Sequence, residues 1–256
     1  MSVGHAEVEY GTAFELPVHR WHDETTGCWM LAATPAALPH LWQEFLDGAH
    51  RSYRRHGVEC ALDVDAIADG HDTAAFFVAL DWRGRVVGGV RAKGPYRSAD
   101  ESHAVVEWAG EPAMVDVRAM IDARIGSGVA EMKSAWVGDG FPNGRALTRV
   151  LARSPLHTMA LLDVRYVMAT SALHVLAQWQ SSGGVIATHI APAPYPDARY
   201  ETSIIWWDRL TVRRHADPEQ ARLVAVETAA LRRGEFLCDG DPSVTPSAQA
   251  LTRLAS

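Results

Sequence analysis

Gly138, Gly140 and Gly144 crowd into one loop, and Arg145, Arg149 and Arg153 follow it at intervals of four residues. Glycines let a backbone approach a ligand closely, and a helix start presents unpaired N–H donors and the positive end of its dipole. Together they suit an anion, a phosphate above all, although the same pattern also serves as a surface turn that merely starts a helix. Two kinds of phosphate cradle drop out. No Gly-Lys-Ser/Thr follows, and Gly144 comes one residue too late for Gly-x-Gly-x-x-Gly. Arg51, Arg54 and Arg55 form a second basic cluster, and for either cluster a solvated helix face is the alternative. His19-x-x-His22-Asp23 has ligand-like spacing but lacks third and fourth partners, so no metal is expected. Trp136, Trp179, Trp206 and Trp207 build an apolar wall, as core or as a lipid pocket.

The elements that must position these groups can be read from periodicity. A strand over 129–137 feeds the glycine loop. Beyond it a helix begins, with Leu147, Val150 and Leu151 on one stripe, until Pro155 interrupts or re-aims it. Upstream, Leu41, Trp42, Phe45, Leu46, Ala49 and Tyr53 recur at helical spacing over 39–56, with the arginines at the end, where cations favour the dipole. Apolar runs at 76–80 and 86–92 joined by a polar turn predict an antiparallel hairpin. Met114, Val117, Ile121 and Ile125 mark a helix closed by Gly126-Ser127-Gly128. Further on come a strand at 164–170, a helical stretch at 172–179, strands at 185–188 and 201–207, and an amphipathic helix at 218–233. Residues 1–40, with Pro17, Pro35 and Pro39 and no sustained period, read as an N-terminal arm or accessory segment. Residues 41–215 read as one mixed α/β domain, and 216–256 as a C-terminal helix and tail.

Composition narrows the class. The chain has 256 residues, 48% apolar and 21% charged, which excludes a disordered or fibrous protein. Its apolar stretch at 29–42 is broken by Pro35, Pro39 and His40, well short of the roughly 20 residues of a membrane span. Glu7, Glu9 and Glu15 near the start argue against a secretory signal. Cysteines at 28, 60 and 238 have neither staple nor metal spacing, which suits a cytoplasmic location. A net charge of −7 disfavours nucleic acid and anionic membranes, so an anionic ligand must meet a local basic site.

Residues 41–207 resemble the GNAT acyltransferase superfamily, and more narrowly its acyl-homoserine-lactone synthase and N-acyl amino acid synthase branch. The early helix carries Arg51, Tyr53, Arg54 and His56-Gly57, followed by Glu59, Asp63 and Asp65. Val87-Gly88-Gly89-Val90-Arg91 is similar to that branch's valine-glycine-glycine/serine-x-arginine strand. Glu131-Met132-Lys133-Ser134 falls in the family's fourth strand, and Gly144-Arg145-Ala146 in its pyrophosphate loop, Arg/Gln-x-x-Gly-x-Gly/Ala. Two positions depart from the pattern. Phe141 stands where that loop has Arg or Gln, and Trp179 where the family often has a tyrosine before a Gly-Phe pair, here Gly183-Gly184.

The resemblance implies an α/β (α+β) fold: a GNAT-like mixed, mostly antiparallel central sheet flanked by helices on both faces. It implies an N-acyltransferase that moves an acyl group from an acyl-CoA or acyl-carrier-protein thioester to an amine, an amino acid being one such acceptor. An ordinary acetyl-CoA-dependent N-acetyltransferase is one alternative. A non-catalytic acyl-CoA-binding sensor or partner domain is another, motivated by Phe141 and Trp179. Glu131 is the implied base, with an ion pair to Arg91 or Arg118 as its alternative, and Ser134 binds substrate or orients Glu131. The implied coenzyme-binding set is Trp136, Val137, Gly138, Phe141, Asn143, Gly144, Arg145, Ala146 and Arg149. The implied substrate-binding set is Arg91, Ser171, His174 and Trp179. Acyl-CoA, coenzyme A or a phosphopantetheinyl carrier protein is the expected cosubstrate, with no metal. A small-molecule amine is the expected partner, an acyl carrier protein and a second copy of the chain are candidates, and neither nucleic acid nor a membrane span is expected.

Overall fold

The computed structural model describes residues 16–233. In chain order these form β1 (His19–Asp23), β2 (Cys28–Ala33), α1 (Pro39–Arg55), α2 (Val64–Ile67), β3 (Ala75–Leu80) and β4 (Val86–Lys93). Then follow α3 (His103–Glu107), α4 (Met114–Ile125), β5 (Val129–Val137), α5 (Gly144–Leu151) and α6 (Ser154–Leu161). The last are β6 (Tyr166–Ala172), α7 (Leu176–Gln180), β7 (Val185–Ile186), β8 (Thr202–Asp208) and α8 (Pro218–Arg233). Pro155 sits in the first turn of α6 and starts that helix rather than breaking one.

All eight strands join one sheet in the order β1-β2-β3-β4-β5-β6-β8-β7. Every pairing is antiparallel except that of β5 with β6. Leu41, Trp42, Phe45 and Leu46 of α1 pack on Phe76 and Val78, while α3 and α4 cover Val129, Met168, Ile204 and Trp206 on the same face. The opposite face carries Phe77, Ala79, Val90 and Met132 under residues of α5, α6, α7 and α8. Covered on both sides, β3 is buried at every position and shows no polar alternation. The fold class is the one expected: a mixed, mostly antiparallel sheet with helices on both faces. Gly89 lets it close, since a Cβ there would lie 2.6 Å from the Phe77 carbonyl oxygen and 2.8 Å from the Phe45 ring. Among the described residues no helix is long and apolar enough to cross a membrane. Cys28 is buried and Cys60 exposed, both free, while Cys238 and residues 1–15 and 234–256 lie outside the described residues.

The stretch read as an N-terminal arm or accessory segment carries regular structure. Its residues 19–33 are two strands that extend the sheet. Their inward face was disguised because His19 and Asp23 are polar and yet buried. Arg153 explains how Asp23 is tolerated. It lies beyond the end of α5, 2% exposed, so it does not continue the expected ridge of arginines on that helix. Its guanidinium donates to Asp23 at 2.5 Å, Glu227 at 3.0 Å and Gln220 at 3.1 Å, tying β1, α6 and α8 together. His157 Nε2 stands 3.0 Å from Glu227, and burial with the nearby His157 holds the His19 imidazole below its usual value, hence neutral. Replacing Arg153 by Leu leaves two buried carboxylates without a cation and should cost about 3–5 kcal/mol. Denaturant unfolding measures this, and adding Asp23→Asn and Glu227→Gln should return part of the loss.

Candidate active site

The parallel pair β5–β6 is short. Residues 129–132 pair with 166–169, ending at Met132 opposite Ala169, after which β5 pairs only with β4, and β6 only with β8. From Lys133 and Thr170 onward the two strands part and leave a wedge within the sheet. At that point β5 also carries a β-bulge: Ser134 and Ala135 together oppose Val90, and Ser134 takes φ +54°. The extra residue resets the alternation, so that Trp136 joins Glu131 and Lys133 on the α1 face. Gly48 of α1 makes room for it, because a Cβ there would overlap the Trp136 ring.

A cavity of about 370 Å³ fills the wedge, lined by Met132 to Val137 of β5, Ala169 to Ala172 of β6, Thr148 and Leu151 of α5, the end of α1 and the 195–200 segment. A wider cavity of about 900 Å³ adjoins it, sharing Ser52 and Trp136, and is lined by the glycine loop, the 81–87 turn and Arg51. Asn143 precedes α5 without a side-chain cap, so the first N–H groups of that helix have no partner within it.

The expected residues separate accordingly. Ser134, Trp136, Val137, Ser171, His174 and Trp179 line the wedge, and Gly138, Phe141 and Asn143 line the loop cavity. Gly144, Arg145 and Ala146 form the first turn of α5. Arg149 is bonded to Asp217 at 2.7 Å. Phe141 packs against the core, which accounts for an apolar side chain at that position. The second basic cluster does reach the loop: Arg51 lines its cavity, and Arg55 pairs with Asp139 at 2.5 Å. Trp179 is buried edge-on to Trp207.

Three expected residues are engaged elsewhere. Arg91 is buried and donates to Asp72 at 2.6 Å, Thr73 at 2.9 Å and the Ser134 hydroxyl at 3.4 Å, not to Glu131. Arg118 pairs with Asp100. Glu131 is 0% exposed and lines neither cavity. Its Oε2 accepts from Tyr96 at 2.7 Å, Ser102 at 3.0 Å and the His103 amide at 2.9 Å. Burial and the Glu131 charge drive the Tyr96 phenol well up, so it stays a donor.

In its place the wedge shows Glu107 and Lys133. Lys133 Nζ is paired with Glu107 Oε1, 3.3 Å from Thr170 Oγ1 and 3.9 Å from Glu131 Oε1. Thr170 Oγ1 donates to the same Glu107 oxygen at 2.9 Å, and His103 Nδ1 lies 2.9 Å from it. Burial alone would raise the Glu107 carboxyl, but Lys133 and the hydrogen bonds outweigh it and hold it down to about 2. Burial likewise opposes the Lys133 charge, yet Glu107 and then Glu131 raise its pKa above the usual range. Tyr53 and Tyr195 line the same cavity. Burial, then Glu107, pushes the Tyr195 phenol up to about 12, and burial raises Tyr53. Glu107, a lone acid in a short helix, and Tyr195, in an irregular segment, carried no sequence signal as site residues.

This sheet, split between one parallel pair and followed by a glycine loop and helix, is the GNAT-type architecture. FeeM, an N-acyl amino acid synthase from uncultured soil microbes, shares the fold, with a TM-score of 0.52 and 14% identity over 74% of this chain and 96% of that chain. No family profile matches the chain. The uncharacterized protein Rv1356c of Mycobacterium tuberculosis is 49% identical over 222 residues, 87% of this chain and 84% of its own, and so is the uncharacterized protein Mb1391c of Mycobacterium bovis. The chain belongs to the family that these mycobacterial proteins represent.

Glu131→Gln places an amide among three donors and should cost about 1–3 kcal/mol of stability, read by thermal unfolding. A pH series checks Glu107. Its folded value of about 2 lies below the ordinary value of about 4.3, so its stabilisation is present above that ordinary value and is lost as pH falls toward 2. The stability gap between wild type and Glu107→Gln should therefore be flat from pH 7 to 5 and close between pH 5 and 2.

Proposed function

We propose that the protein transfers an acyl group to an amine from a thioester carried on coenzyme A or on the phosphopantetheine of a carrier protein. One observation carries this: an opening within the sheet, between β5 and β6, with a cavity, a bulge on its rim and an uncapped helix start at its head. An extended pantetheine arm can pair with the freed edge of β5 as an added strand would. Its pyrophosphate then meets the free N–H groups of the α5 start, with Arg51 and Arg145 supplying charge. A carbonyl at the bulge meets backbone donors outside the ladder, the kind that stabilises a tetrahedral intermediate.

The departing thiol, with a pKa of roughly 8.5 by analogy with cysteine, leaves as thiolate or takes a proton from Tyr195. His56 is the proposed base. Its Nδ1 lies 2.8 Å from the Ser52 carbonyl oxygen, which can only accept, so Nδ1 is the donor and Nε2 is left to take a proton in the wedge. Met132, Leu151, Ala169, Val175 and Trp179 give the wedge an apolar wall, which favours a long acyl chain over acetyl. A second reading, a non-catalytic acyl-CoA-binding domain, is favoured by the burial of Glu131 away from both cavities.

Calorimetric titration should give decanoyl-CoA at least about tenfold tighter binding than acetyl-CoA; equal affinities would return the donor to acetyl, and no binding of either would overturn the CoA arm. Arg51→Ala and Arg145→Ala should weaken coenzyme A binding, most at low salt. With an amine present, His56→Gln should lower thiol release by about 100-fold or more while coenzyme A affinity holds. Binding without thiol release from any amine would establish the sensor.

A further inference from the structure

We infer that Glu107 is the recognition group for a cationic amine in the wedge, and that this amine carries no carboxylate on the adjacent carbon. The inference rests on the acyl-transfer reading, and it names the acceptor class. Glu107 is the sole carboxylate lining the wedge cavity among the described residues, and its side chain is 1% exposed. The two oxygens differ sharply. Oε1 is engaged by Lys133, Thr170 and His103, whereas Oε2 is buried with no hydrogen-bond partner. A buried ionised oxygen without a donor is costly, and native structures rarely leave one so unless something else supplies the donor. Glu107 stands in the cavity wall, and a turn of its carboxylate would present that oxygen to an ammonium N–H there.

The charge balance points the same way. Glu107 and Glu131 together set two negative charges against the Lys133 ammonium and the His103 ring, which lies 2.9 Å from Glu107. The Lys133 ammonium is turned toward Glu107, Thr170 and Glu131, and no arginine or second lysine lines the cavity. A carboxylate next to the reacting amine would therefore face surplus negative charge with no free lysine or arginine. Tyr53 and Tyr195 line the same cavity, and both phenols are shifted upward in part by the Glu107 charge, which places them in its field. Aromatic faces favour a cation. The class is an aminoalkane, an amino alcohol or a polyamine.

Three probes share one carbon chain: norleucine, n-pentylamine, which lacks its carboxylate, and hexanoate, which lacks its amine. Ligand-observed NMR titrations on the full chain, with and without coenzyme A, should show pentylamine binding at least tenfold tighter than the other two. Glu107→Gln should abolish that preference. Should this variant fail to fold, Glu107→Gln/Lys133→Gln removes both charges of the pair and should lose the preference alike, and the wild-type ranking alone still decides the charge class. Norleucine or hexanoate binding as well as pentylamine, a preference that survives in the variants, or no binding of any probe each overturns the inference. Failure of coenzyme A to bind in the same samples counts against the acyl-transfer reading alone.

Discussion

The parallel register between β5 and β6 lasts for four residue pairs, and the site depends on where it stops. Backbone N–H and C=O groups within a sheet are normally paired, so two strands that part in mid-sheet need a strong local cause and a use for the freed edge. The cause is the bulge at Ser134 and Ala135, which bends β5 two positions beyond the last pair. The same bulge turns Trp136 onto α1, where Gly48 receives it. β5 thereby leaves the sheet in the direction of the glycine loop, and α5 starts at the head of the opening. One inserted residue fixes the cavity, its aromatic wall and the approach to the helix N-terminus.

The fold holds two buried ionic clusters, and they obey different rules. Around Arg153, two carboxylates and an amide oxygen surround one guanidinium, and the acceptors come from β1 and α8. Such a cluster holds elements together and offers nothing to a ligand. Around Lys133, the two carboxylates each keep an oxygen without a hydrogen-bond donor, Oε2 of Glu107 and Oε1 of Glu131. What separates frame from site is position: Glu107 and Lys133 line the wedge cavity, and none of Arg153, Asp23, Glu227 and His157 does.

Much of this was legible in the sequence, and the losses have physical reasons. The α1 stripe, the 76–92 hairpin, β5 with its loop and α8 stand within a residue or two of their expected bounds, because each buries a regular face. The strand β1 was not legible, since His19 and Asp23 on its buried side read as solvent residues, and the counter-charge of Asp23 comes from Arg153, far along the chain. The row of Arg145, Arg149 and Arg153 assumed one continuous helix, but α5 ends at Leu151. Glu131 and Lys133 lie two apart on one face of one strand, and alternation alone cannot rank them. Their depth depends on the last strand pair: Glu131 lies over the closed part of the sheet, and Lys133 is the first residue beyond it.

Phe141 and Trp179, the departures from the GNAT pattern, read differently once their surroundings are known. A side chain that packs the loop against the core stiffens it, and a stiff loop can bind an anion through backbone amides alone, provided positive charge is near. Arg51 brings that charge from α1, on the wall of the loop cavity. A phenol absent from the helix after β6 is present on the opposite side of the wedge, where burial and Glu107 keep Tyr195 protonated. On the acyl-transfer reading both functions have therefore moved to other elements around the same opening. Such a shift is open to a site formed by a parted strand pair, because the wedge presents two walls to one ligand and either wall can carry a given group.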